Sequence, residues 1–292
     1  MKDKICMITG ASSGIGDATA LGLARIGATV VMVCRDRGRG EAARDEIREK
    51  SGSSKVELLL ADLSSQADIR QLVQEFKGCF SSLHVLVNNA GVAPIRRSVT
   101  PDGIETIFAV NYLAPFLLTN LLLDTLKASA PARVVNVAGD FHRKATMQFD
   151  DLMSEKNYNG NRASNQAKLA LILFTYELAR RLAGTGVTAN CLHPGAVATD
   201  APLKDPNLSS FARLMYSLVK PFFLSPEKGA ETSIFLASSP EVEDVTGQYF
   251  IKKTAVRSSP ESYDEDIARC LWDASEKLTG LAQREEAAEI AF

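Results

Sequence analysis

The chain has 292 residues, of which 46% are hydrophobic and 23% are charged, and its formal net charge is −2. This length suits one large α/β domain with a full hydrophobic core, and the composition is typical of a soluble globular protein. The small net charge gives no electrostatic basis for binding nucleic acid or an acidic membrane, so neither is predicted as a partner.

The five cysteines are far apart in sequence and odd in number. Cys6, Cys34 and Cys191 fall in apolar, strand-like runs, so we expect buried reduced thiols rather than disulfides. The first predicted strand starts within a few residues of Met1, and the most apolar long stretch, 113–123, is too short to cross a bilayer. These features predict a cytoplasmic protein without a stable membrane anchor.

Buried apolar runs alternate with amphipathic stretches along the chain, which predicts a doubly wound parallel sheet of the Rossmann type. Strands are predicted at 5–9, 28–34, 56–60, 83–87, 133–137, 187–192 and 248–251, and helices from 15 to 26 and at 38–50, 65–78, 103–127, 161–184, 226–238 and 261–278. No linker divides the chain, so residues 1–292 are expected to form a single domain.

Two segments depart from this alternation. Residues 199–225 are rich in proline and contain an amphipathic piece at 211–219. We interpret them as an excursion over the carboxyl end of the sheet, either a helix packed on the surface or a lid over an apolar pocket, and their position favours the lid. A lid of this composition predicts an apolar small molecule as the substrate. The polar, alanine-rich tail at 281–292 is expected to fray.

Gly10, Gly14 and Gly16 form a G-x-x-x-G-x-G turn between the first predicted strand and the first helix. Glycine lets the backbone adopt a positive φ and approach a phosphate, and the unpaired N–H groups at the start of a helix favour an anion. A turn that only packs the helix closely against the sheet is the alternative. The strand–turn–helix context favours a dinucleotide phosphate site.

The residue after the second strand indicates which dinucleotide binds. An acidic residue there would bond a free ribose 2′-hydroxyl and repel a 2′-phosphate. This chain has Arg35, with Arg39 close behind, and a guanidinium can pair with a phosphate in bidentate fashion. Asp36 is expected to point away after the turn. The sequence therefore predicts NADP(H) rather than NAD(H).

Polar residues also follow the third and fourth strands. Asp62 is interpreted as the cap of the next helix or as a partner for an adenine amino group, and the two roles are compatible. The run from Asn88 to Gly91 places two amides before two small residues. This arrangement would let a ribose and a nicotinamide lie against the backbone while the asparagine side chains brace neighbouring strands.

Ser164 and Lys168 are four residues apart on the predicted 161–184 helix and so share one face. An ammonium one turn from a hydroxyl can lower the pKa of that hydroxyl and can hold a cofactor ribose. Many helices carry this pair, so the spacing indicates a site only in combination with the cofactor motifs.

Together the motifs resemble the short-chain dehydrogenase/reductase superfamily. The resemblance rests on Thr9-Gly10-x-x-x-Gly14-x-Gly16, Asp62-Leu63, Asn88-Asn89-Ala90-Gly91, Asn111 and Pro194-Gly195-Ala196-Val197-Ala198-Thr199. Similarity to its retinol-dehydrogenase-like branch rests on Cys34-Arg35-Asp36, Ala43–Ile47, His142, Gly247-Gln248-Tyr249-Phe250 and Leu271-Trp272-x-x-Ser275-Glu276. The resemblance covers about residues 4–280. It implies a Rossmann-type fold, NADP(H) and hydride transfer between nicotinamide C4 and a carbonyl or alcohol.

The resemblance also implies where the nucleotide lies and how copies of the chain associate. The implied cofactor-binding residues are Gly10, Ser12, Ser13, Gly14, Ile15, Gly16, Arg35, Asp62, Leu63, Asn89, Ala90, Gly91, Lys168, Pro194, Gly195, Val197 and Thr199. No metal site is expected. Homodimers through the two long helices are common for this fold, although the extended carboxyl-terminal portion is expected to hinder that packing.

The family normally works with four residues. An asparagine kinks a helix and holds a water, a serine bonds the substrate oxygen, a tyrosine is the acid or base, and a lysine lowers the tyrosine pKa and binds the nicotinamide ribose. Asn111 matches the asparagine and Lys168 the lysine. Gly139 stands at the serine position and Ser164 at the tyrosine position, so the two groups that touch the substrate oxygen are replaced.

These replacements predict slow or absent carbonyl and alcohol turnover. A serine hydroxyl is several units less acidic than a phenol and is shorter by a whole ring. A positioned general acid is worth ~10²–10⁴-fold in rate. Asp140 and His142 follow the missing serine and are candidate substitutes, although a histidine that only lines the substrate wall is the simpler interpretation. Tyr158, Tyr112 and His193 are weaker candidates.

Three hypotheses follow for the function. The first is an NADP(H)-dependent oxidoreductase that acts on an apolar molecule with an unusual acid. The second is an enzyme of the same fold repurposed for a non-redox cyclisation or isomerisation, in which the pocket supplies orientation. The third is a non-catalytic NADP-binding regulator. The cofactor motifs favour nucleotide binding in all three.

Overall fold

The protein is described by a computed structural model that covers residues 1–197 and 223–281. In this part of the chain eight strands form one sheet in the order β3-β2-β1-β4-β5-β6-β7-β8. The strands are β1 (Ile5–Thr9), β2 (Thr29–Cys34), β3 (Val56–Leu60), β4 (Val85–Asn88), β5 (Ala132–Val137), β6 (Val187–His193), β7 (Tyr249–Ile251) and β8 (Thr254–Val256). All neighbours pair in parallel except β7 and β8, which are antiparallel.

Helices cover both faces of the sheet and confirm the doubly wound, single-domain Rossmann-type fold. They are α1 (Gly14–Arg25), α2 (Arg37–Ser51), α3 (Gln66–Cys79), α4 (Thr106–Phe108), α5 (Ala114–Leu121), α6 (Leu123–Ala128), α7 (Gly160–Arg181), α8 (Pro226–Ser238) and α9 (Glu265–Thr279). A π-helical turn, Ala109–Leu113, joins α4 to α5, and short 3₁₀ turns lie at Phe141–Lys144, Phe149–Asp151, Pro240–Val242 and Pro260–Tyr263.

The central strands are apolar on both faces because helices cover both. Met7 lies in register with Val31 and Leu86, and these three side chains enter one core cluster. The next residues along the strands, Ile8, Met32 and Val87, enter the cluster on the other face. With both faces buried, the polar loops gather at the carboxyl edge of the sheet. The strand order reverses between β1 and β4, where ligands bind in open α/β sheets.

The predicted helix at 103–127 is divided in the structure. The π-helical turn Ala109–Leu113 interrupts it, and a break at Leu122 separates α5 from α6. Asn111 lies in the π turn, where its amide accepts from the Val92 backbone nitrogen at 2.7 Å and donates to the Val92 oxygen at 2.9 Å. These two bonds tie the interrupted helix to the loop after β4.

Strand β8 was not predicted, since the turn that leads into it lacks the usual signal. Lys252 and Lys253 form a tight hairpin turn with φ values of +50° and +65°. Asparagine and glycine normally occupy such positions. The last helix also starts later than predicted, at Glu265, because Asp264 accepts bonds from the backbone nitrogens of Asp266 and Ile267.

Cys6, Cys34 and Cys191 are buried free thiols, as predicted. Of the predicted lid at 199–225, residues 199–222 lie outside the described part of the chain, as does the tail after Leu281. None of the helices in residues 1–197 and 223–281 combines the length and apolar character needed to span a bilayer.

Helix α9 packs across the two long helices of the domain. The Trp272 ring lies 5.0 Å from the Phe116 ring on α5 and 5.8 Å from the Phe174 ring on α7. The Tyr112 and Ser275 hydroxyls are 2.6 Å apart. The apolar face that α5 and α7 would offer to a second copy is thus covered by the same chain. This is the packing expected to hinder a homodimer, and the homodimer itself stays a prediction.

Candidate active site

The glycine-rich turn is locked against the end of β4. A Cβ at Gly16 would lie 2.4 Å from both the Gly10 oxygen and Asn89 Nδ2, so only glycine permits this approach. Gly10 and Gly14 have φ values of +67° and +63°. Asn89 Nδ2 donates to the Thr9 carbonyl at 2.8 Å, and Thr9 Oγ1 accepts from the Asn89 backbone nitrogen at 2.9 Å. The turn is therefore rigid and lies at the strand-order reversal.

Helix α1 begins without a side-chain cap, because Ser13 accepts no hydrogen bond from the backbone of its first turn. The other long helices that start from a loop are capped by Asp36 (α2), Ser65 (α3), Asn159 (α7), Ser225 (α8) and Asp264 (α9). The first N–H groups of α1 and the positive end of its dipole are thus available to an anion. This arrangement fits the pyrophosphate of a dinucleotide.

Two basic residues flank the end of β2. Arg35 Nη1 lies 3.9 Å from Asp62 Oδ2, and the Arg35 side chain is 66% exposed. Asp36 turns away, as expected, and caps α2 by accepting from the Arg39 backbone nitrogen at 2.8 Å. Ser65, rather than Asp62, caps α3. The interpretation of Asp62 as a helix cap is therefore wrong, and its Oδ1 instead accepts from the Ser64 backbone nitrogen and hydroxyl.

A cavity of 320 Å³ lies between α1 and α2 beside the turn. Ser12, Ser13 and Arg39 line it, together with the carboxyl groups of Asp17 and Glu46. Burial, and then the charge of Glu46, raise the pKa of Asp17 to about 6. From the sequence, Arg39 was considered only as a neighbour of Arg35. Its place in the first turn of α2 is the signal that puts a second guanidinium beside the turn.

The asparagines after β4 brace neighbouring elements, as predicted. Asn88 Nδ2 donates to Asn136 Oδ1 at 2.8 Å and to Thr119 Oγ1 at 3.1 Å. A Cβ at Gly91 would lie 3.4 Å from Asn111 Oδ1, so the small residues let the loop and the π turn approach each other. The fourth strand end and the interrupted helix therefore form one rigid wall.

Helix α7 brings Ser164 and Lys168 to the end of β5. Lys168 Nζ donates to the Val137 carbonyl oxygen at 3.0 Å. Burial lowers the pKa of Lys168 to about 8, and no carboxylate of the described residues forms an ion pair with it. The Ser164 hydroxyl makes no hydrogen bond within residues 1–197 and 223–281. Lys168 thus lies at the carboxyl end of β5, with Ser164 one turn earlier on the same helix.

Gly139 has a backbone conformation that a serine would adopt only under strain. Its φ is +125°, although a Cβ there would meet no atom within 4 Å. The Gly139 nitrogen donates to the Leu192 oxygen at 3.2 Å, and its carbonyl accepts from the Tyr249 hydroxyl at 3.1 Å. A serine side chain at this position would therefore have space around its Cβ but would hold a strained backbone.

The two candidate substitutes are engaged elsewhere. His142 is fully buried, its Nδ1 bonds the Gly139 oxygen at 2.8 Å, and its ring lies 4.9 Å from the Tyr249 ring. The expectation that it lines the substrate wall is therefore wrong, and burial lowers its pKa. Asp140 Oδ1 accepts from Arg143 Nε at 2.7 Å. Burial opposes ionisation of Asp140, but the bond from Arg143 holds its pKa below the usual value.

The weaker candidates are no better placed. Tyr158 donates to Glu105 Oε1 at 3.3 Å, and burial together with this carboxylate raises the Tyr158 pKa to about 12. Tyr112 is fully buried and bonded to Ser275. His193 Nδ1 is buried and has no hydrogen-bond partner among the described residues.

The segment after β6 completes the edge as far as it is described. Gly195 has a φ of +90°, and Val197 pairs with Leu224 in an isolated bridge. A Cβ on Gly229 in α8 would meet Val197 at 2.5 Å and Ile15 at 3.2 Å. Leu63 and Pro194 lie in the loops after β3 and β6, which are far apart along this edge, whereas Thr199 lies outside the described residues.

Known proteins share this architecture. The family model described as short chain dehydrogenase matches residues 4–206. Retinol dehydrogenase 14 of Homo sapiens is 44% identical over 295 residues, covering 96% of this chain and 88% of its own. Polyprenol dehydrogenase of Homo sapiens is 41% identical, covering 96% of this chain and 86% of its own.

Solved structures agree with these relatives. A crystallised protein from Mycobacterium Paratuberculosis is 31% identical with a TM-score of 0.76, covering 96% of this chain and 94% of its own. The 3-ketoacyl-(acyl-carrier-protein) reductase from Brucella melitensis, crystallised with NADH, is 26% identical with a TM-score of 0.66, covering 85% and 96%. The chain therefore belongs to the short-chain dehydrogenase/reductase superfamily, in its retinol-dehydrogenase-like branch.

Proposed function

We propose that this chain is an NADP(H)-dependent oxidoreductase that interconverts the carbonyl and alcohol forms of an apolar small molecule, with slow turnover. The observation that carries this proposal is the intact nucleotide cradle, with its uncapped α1 and close Gly10–Gly16 approach, beside Lys168 and Asn111. The family membership supports the reaction class.

Each part of the nucleotide has residues suited to it. The α1 N-terminus suits the pyrophosphate, Arg35 and Arg39 suit a ribose 2′-phosphate, and Lys168 suits the nicotinamide ribose. When bound, the nicotinamide supplies or accepts a hydride. The open Cβ side of Gly139 leaves room near Ser164 for a substrate oxygen.

Two replacements account for slow turnover. Ser164 lacks both the acidity and the length of a phenol. Gly139 has no hydroxyl to strengthen its bond as negative charge develops on the substrate oxygen, a contribution of about 10²-fold for one such donor. Both losses act on the same oxygen, so their effects on the rate do not simply multiply.

The substrate class follows from exposed apolar side chains at the carboxyl edge. Phe141, two residues after Gly139, is 66% exposed, and Leu224, which pairs with Val197, is 40% exposed. Two relatives are named for the alcohols retinol and polyprenol. An apolar alcohol or aldehyde would cover these side chains. The buried free thiols fit a reducing compartment, which keeps a cytoplasmic location within the proposal.

The cofactor preference is tested by measuring dissociation constants of NADPH and NADH by fluorescence. We expect NADPH to bind more tightly, and Arg35→Ala to weaken NADPH binding about 10–100-fold, as loss of a charge-assisted hydrogen bond implies. Arg37→Ala is the matched control, because Arg37 is also exposed but pairs with Glu41 at 3.4 Å. Tighter NADH binding, or equal weakening by both variants, would contradict the preference.

The reaction is tested by following NADPH absorbance with a panel of apolar aldehydes and ketones. We expect slow, saturable NADPH consumption with at least one of them. If folded protein that binds NADPH consumes none of it with any of these compounds, the redox proposal is contradicted. In that case rearrangement of an apolar substrate without nicotinamide turnover would favour the non-redox hypothesis.

A further inference from the structure

We propose that Lys168 itself donates the proton to the substrate oxygen, in place of the phenol that this chain lacks. The inference rests on the proposed oxidoreductase function and names the acid that this function requires. A lysine that only holds the ribose would not exchange a proton with the substrate.

The position of Lys168 supports this role. Its Nζ donates one hydrogen bond, to the Val137 oxygen at 3.0 Å, and an ammonium has three N–H donors. Val137 is two residues before Gly139, so Nζ lies at the strand end where the substrate oxygen is expected. Ser164 lies one turn earlier on the same face, and its side chain is shorter than a phenol by a whole ring.

Within residues 1–197 and 223–281, most other acids on the elements packed around α7 are held by partners of their own. On the turn after β5, Asp140 is bonded to Arg143, and His142 is buried against Tyr249. Other titratable groups of these elements have partners: Glu105 with Tyr158, Tyr112 with Ser275, Tyr176 with Ser258, Glu177 with Arg180 and Arg181, Cys191 with the Gln248 oxygen, Tyr263 with the Ser258 backbone nitrogen, Glu261 with the Met147 backbone nitrogen, Glu265 and Asp266 with Arg269, and Glu276 with Trp272. Lys144, Cys270, Asp273 and Lys277 are exposed on the surface. Two histidines are exceptions, since His142 Nε2 and His193 Nδ1 are both buried without a hydrogen-bond partner, and burial lowers the pKa of both rings.

His193 does not replace Lys168 as the donor. Burial lowers the pKa of both His193 and His142 and so disfavours the protonated ring that a proton donor would need, and the unpartnered nitrogen of each ring is itself buried. Lys168 differs in that burial without a counter-charge brings its pKa down to about 8. Near neutral pH it is therefore mostly protonated yet able to release a proton, the condition for an efficient general acid.

The step balances without any further reactant. The carbonyl carbon takes up the hydride that the nicotinamide supplies, and its C=O π pair becomes a lone pair on oxygen. An N–H bond of the Lys168 ammonium breaks, its proton goes to that oxygen, and its bonding pair stays on Nζ as a neutral amine. Water then returns a proton to Nζ. Alcohol oxidation runs the same steps in reverse and needs the neutral amine.

The test compares pH profiles of wild type and Lys168→Arg. Arginine keeps the positive charge for the ribose but releases no proton in this range. For reduction by wild type, kcat/KM should be constant below about pH 8 and fall tenfold per unit above it. In Lys168→Arg it should fall about 100-fold or more, at the low end of general acid catalysis, while the NADPH dissociation constant changes only a few-fold. Lys228→Arg, an exposed lysine paired with Glu231, is the matched control.

A second readout needs no turnover. Labelling of amines with acetic anhydride across pH, read by mass spectrometry, reports the titration of Lys168 directly, and it should show a midpoint near 8 that coincides with the break in the wild-type profile. If Lys168→Arg loses NADPH binding, its rate is not informative. The proposal is then tested by whether the Lys168 titration midpoint agrees with the break in the wild-type pH profile. A Lys168 midpoint above 10, a mismatch with the profile, or an undiminished Lys168→Arg rate overturns the proposal. Wild type that binds NADPH but reduces no carbonyl refutes the proposed function, and this proposal with it.

Discussion

At the level of single residues, the backbone at position 139 matters as much as the missing hydroxyl. The Gly139 φ is +125°, its nitrogen donates to the Leu192 oxygen, and its carbonyl accepts from both Tyr249 and His142. A serine there would have to bear this conformation or pull the carbonyl from two partners. A single Gly139→Ser substitution would therefore add the hydroxyl only at the cost of a strained backbone.

Gly139→Ser is expected to lower the free energy of unfolding by about 1–3 kcal/mol, the usual range for a non-glycine residue held in a sparsely populated conformation. Urea denaturation measures this change. Gly78→Ser is the control, because Gly78 also has open space around its Cβ position but has no positive φ. If both variants changed stability equally, the strain argument would fail.

Residues with local roles were predictable, and those with distant partners were not. Asp36 caps the helix that follows it, a pattern visible within four residues of sequence. His142 was expected to line the substrate wall because it follows β5 closely. It turns inward because Tyr249, 107 positions later on β7, packs against its ring and shares the Gly139 carbonyl. No local pattern reports such a contact.

At the level of elements, α9 covers the apolar face of α5 and α7 that a second copy of the chain would otherwise contact. Trp272 packs edge-on against Phe116, and the Arg181 guanidinium lies 3.9 Å from the centre of its ring. Arg181 also pairs with Glu177 on α7 at 2.7 Å. The helix is thus held by aromatic packing and by charge along the same face.

Trp272→Ala should lower the free energy of unfolding by about 3–5 kcal/mol, since Trp272 is 5% exposed and its removal leaves a cavity. Thermal or urea denaturation measures this loss. Phe141→Ala serves as the comparison, because Phe141 is 66% exposed and its truncation should cost little. A loss for Trp272→Ala no larger than for Phe141→Ala would show that α9 does not hold the helical layer together.

Hydrophobic periodicity predicted the regular elements well, because each buries one or both faces over several residues. It placed β1 and β3 at their observed bounds. It missed the π turn at Asn111, which depends on bonds to Val92 in another loop. It also missed β8, where two lysines at positive φ carry the turn without glycine or asparagine.

At the level of the whole molecule, the two halves of the carboxyl edge differ. On the β1 side the turn, the uncapped α1 and the Asn89 braces form a cradle that suits a dinucleotide. On the β5 side we expect the groups that would touch a substrate oxygen to be replaced, and Lys168 is the ionisable group to which we assign the proton transfer. We therefore expect this chain to retain cofactor binding, and we expect proton transfer to limit its rate.

The most direct test of this separation is NADPH consumption by Ser164→Tyr against wild type, with the same apolar aldehyde. A phenol beside Lys168 should raise the rate by about 10²-fold, the low end for a positioned general acid because Lys168 already supplies part of that function. The NADPH dissociation constant should stay close to that of wild type. A folded Ser164→Tyr variant that binds NADPH yet is no faster than wild type would contradict the account.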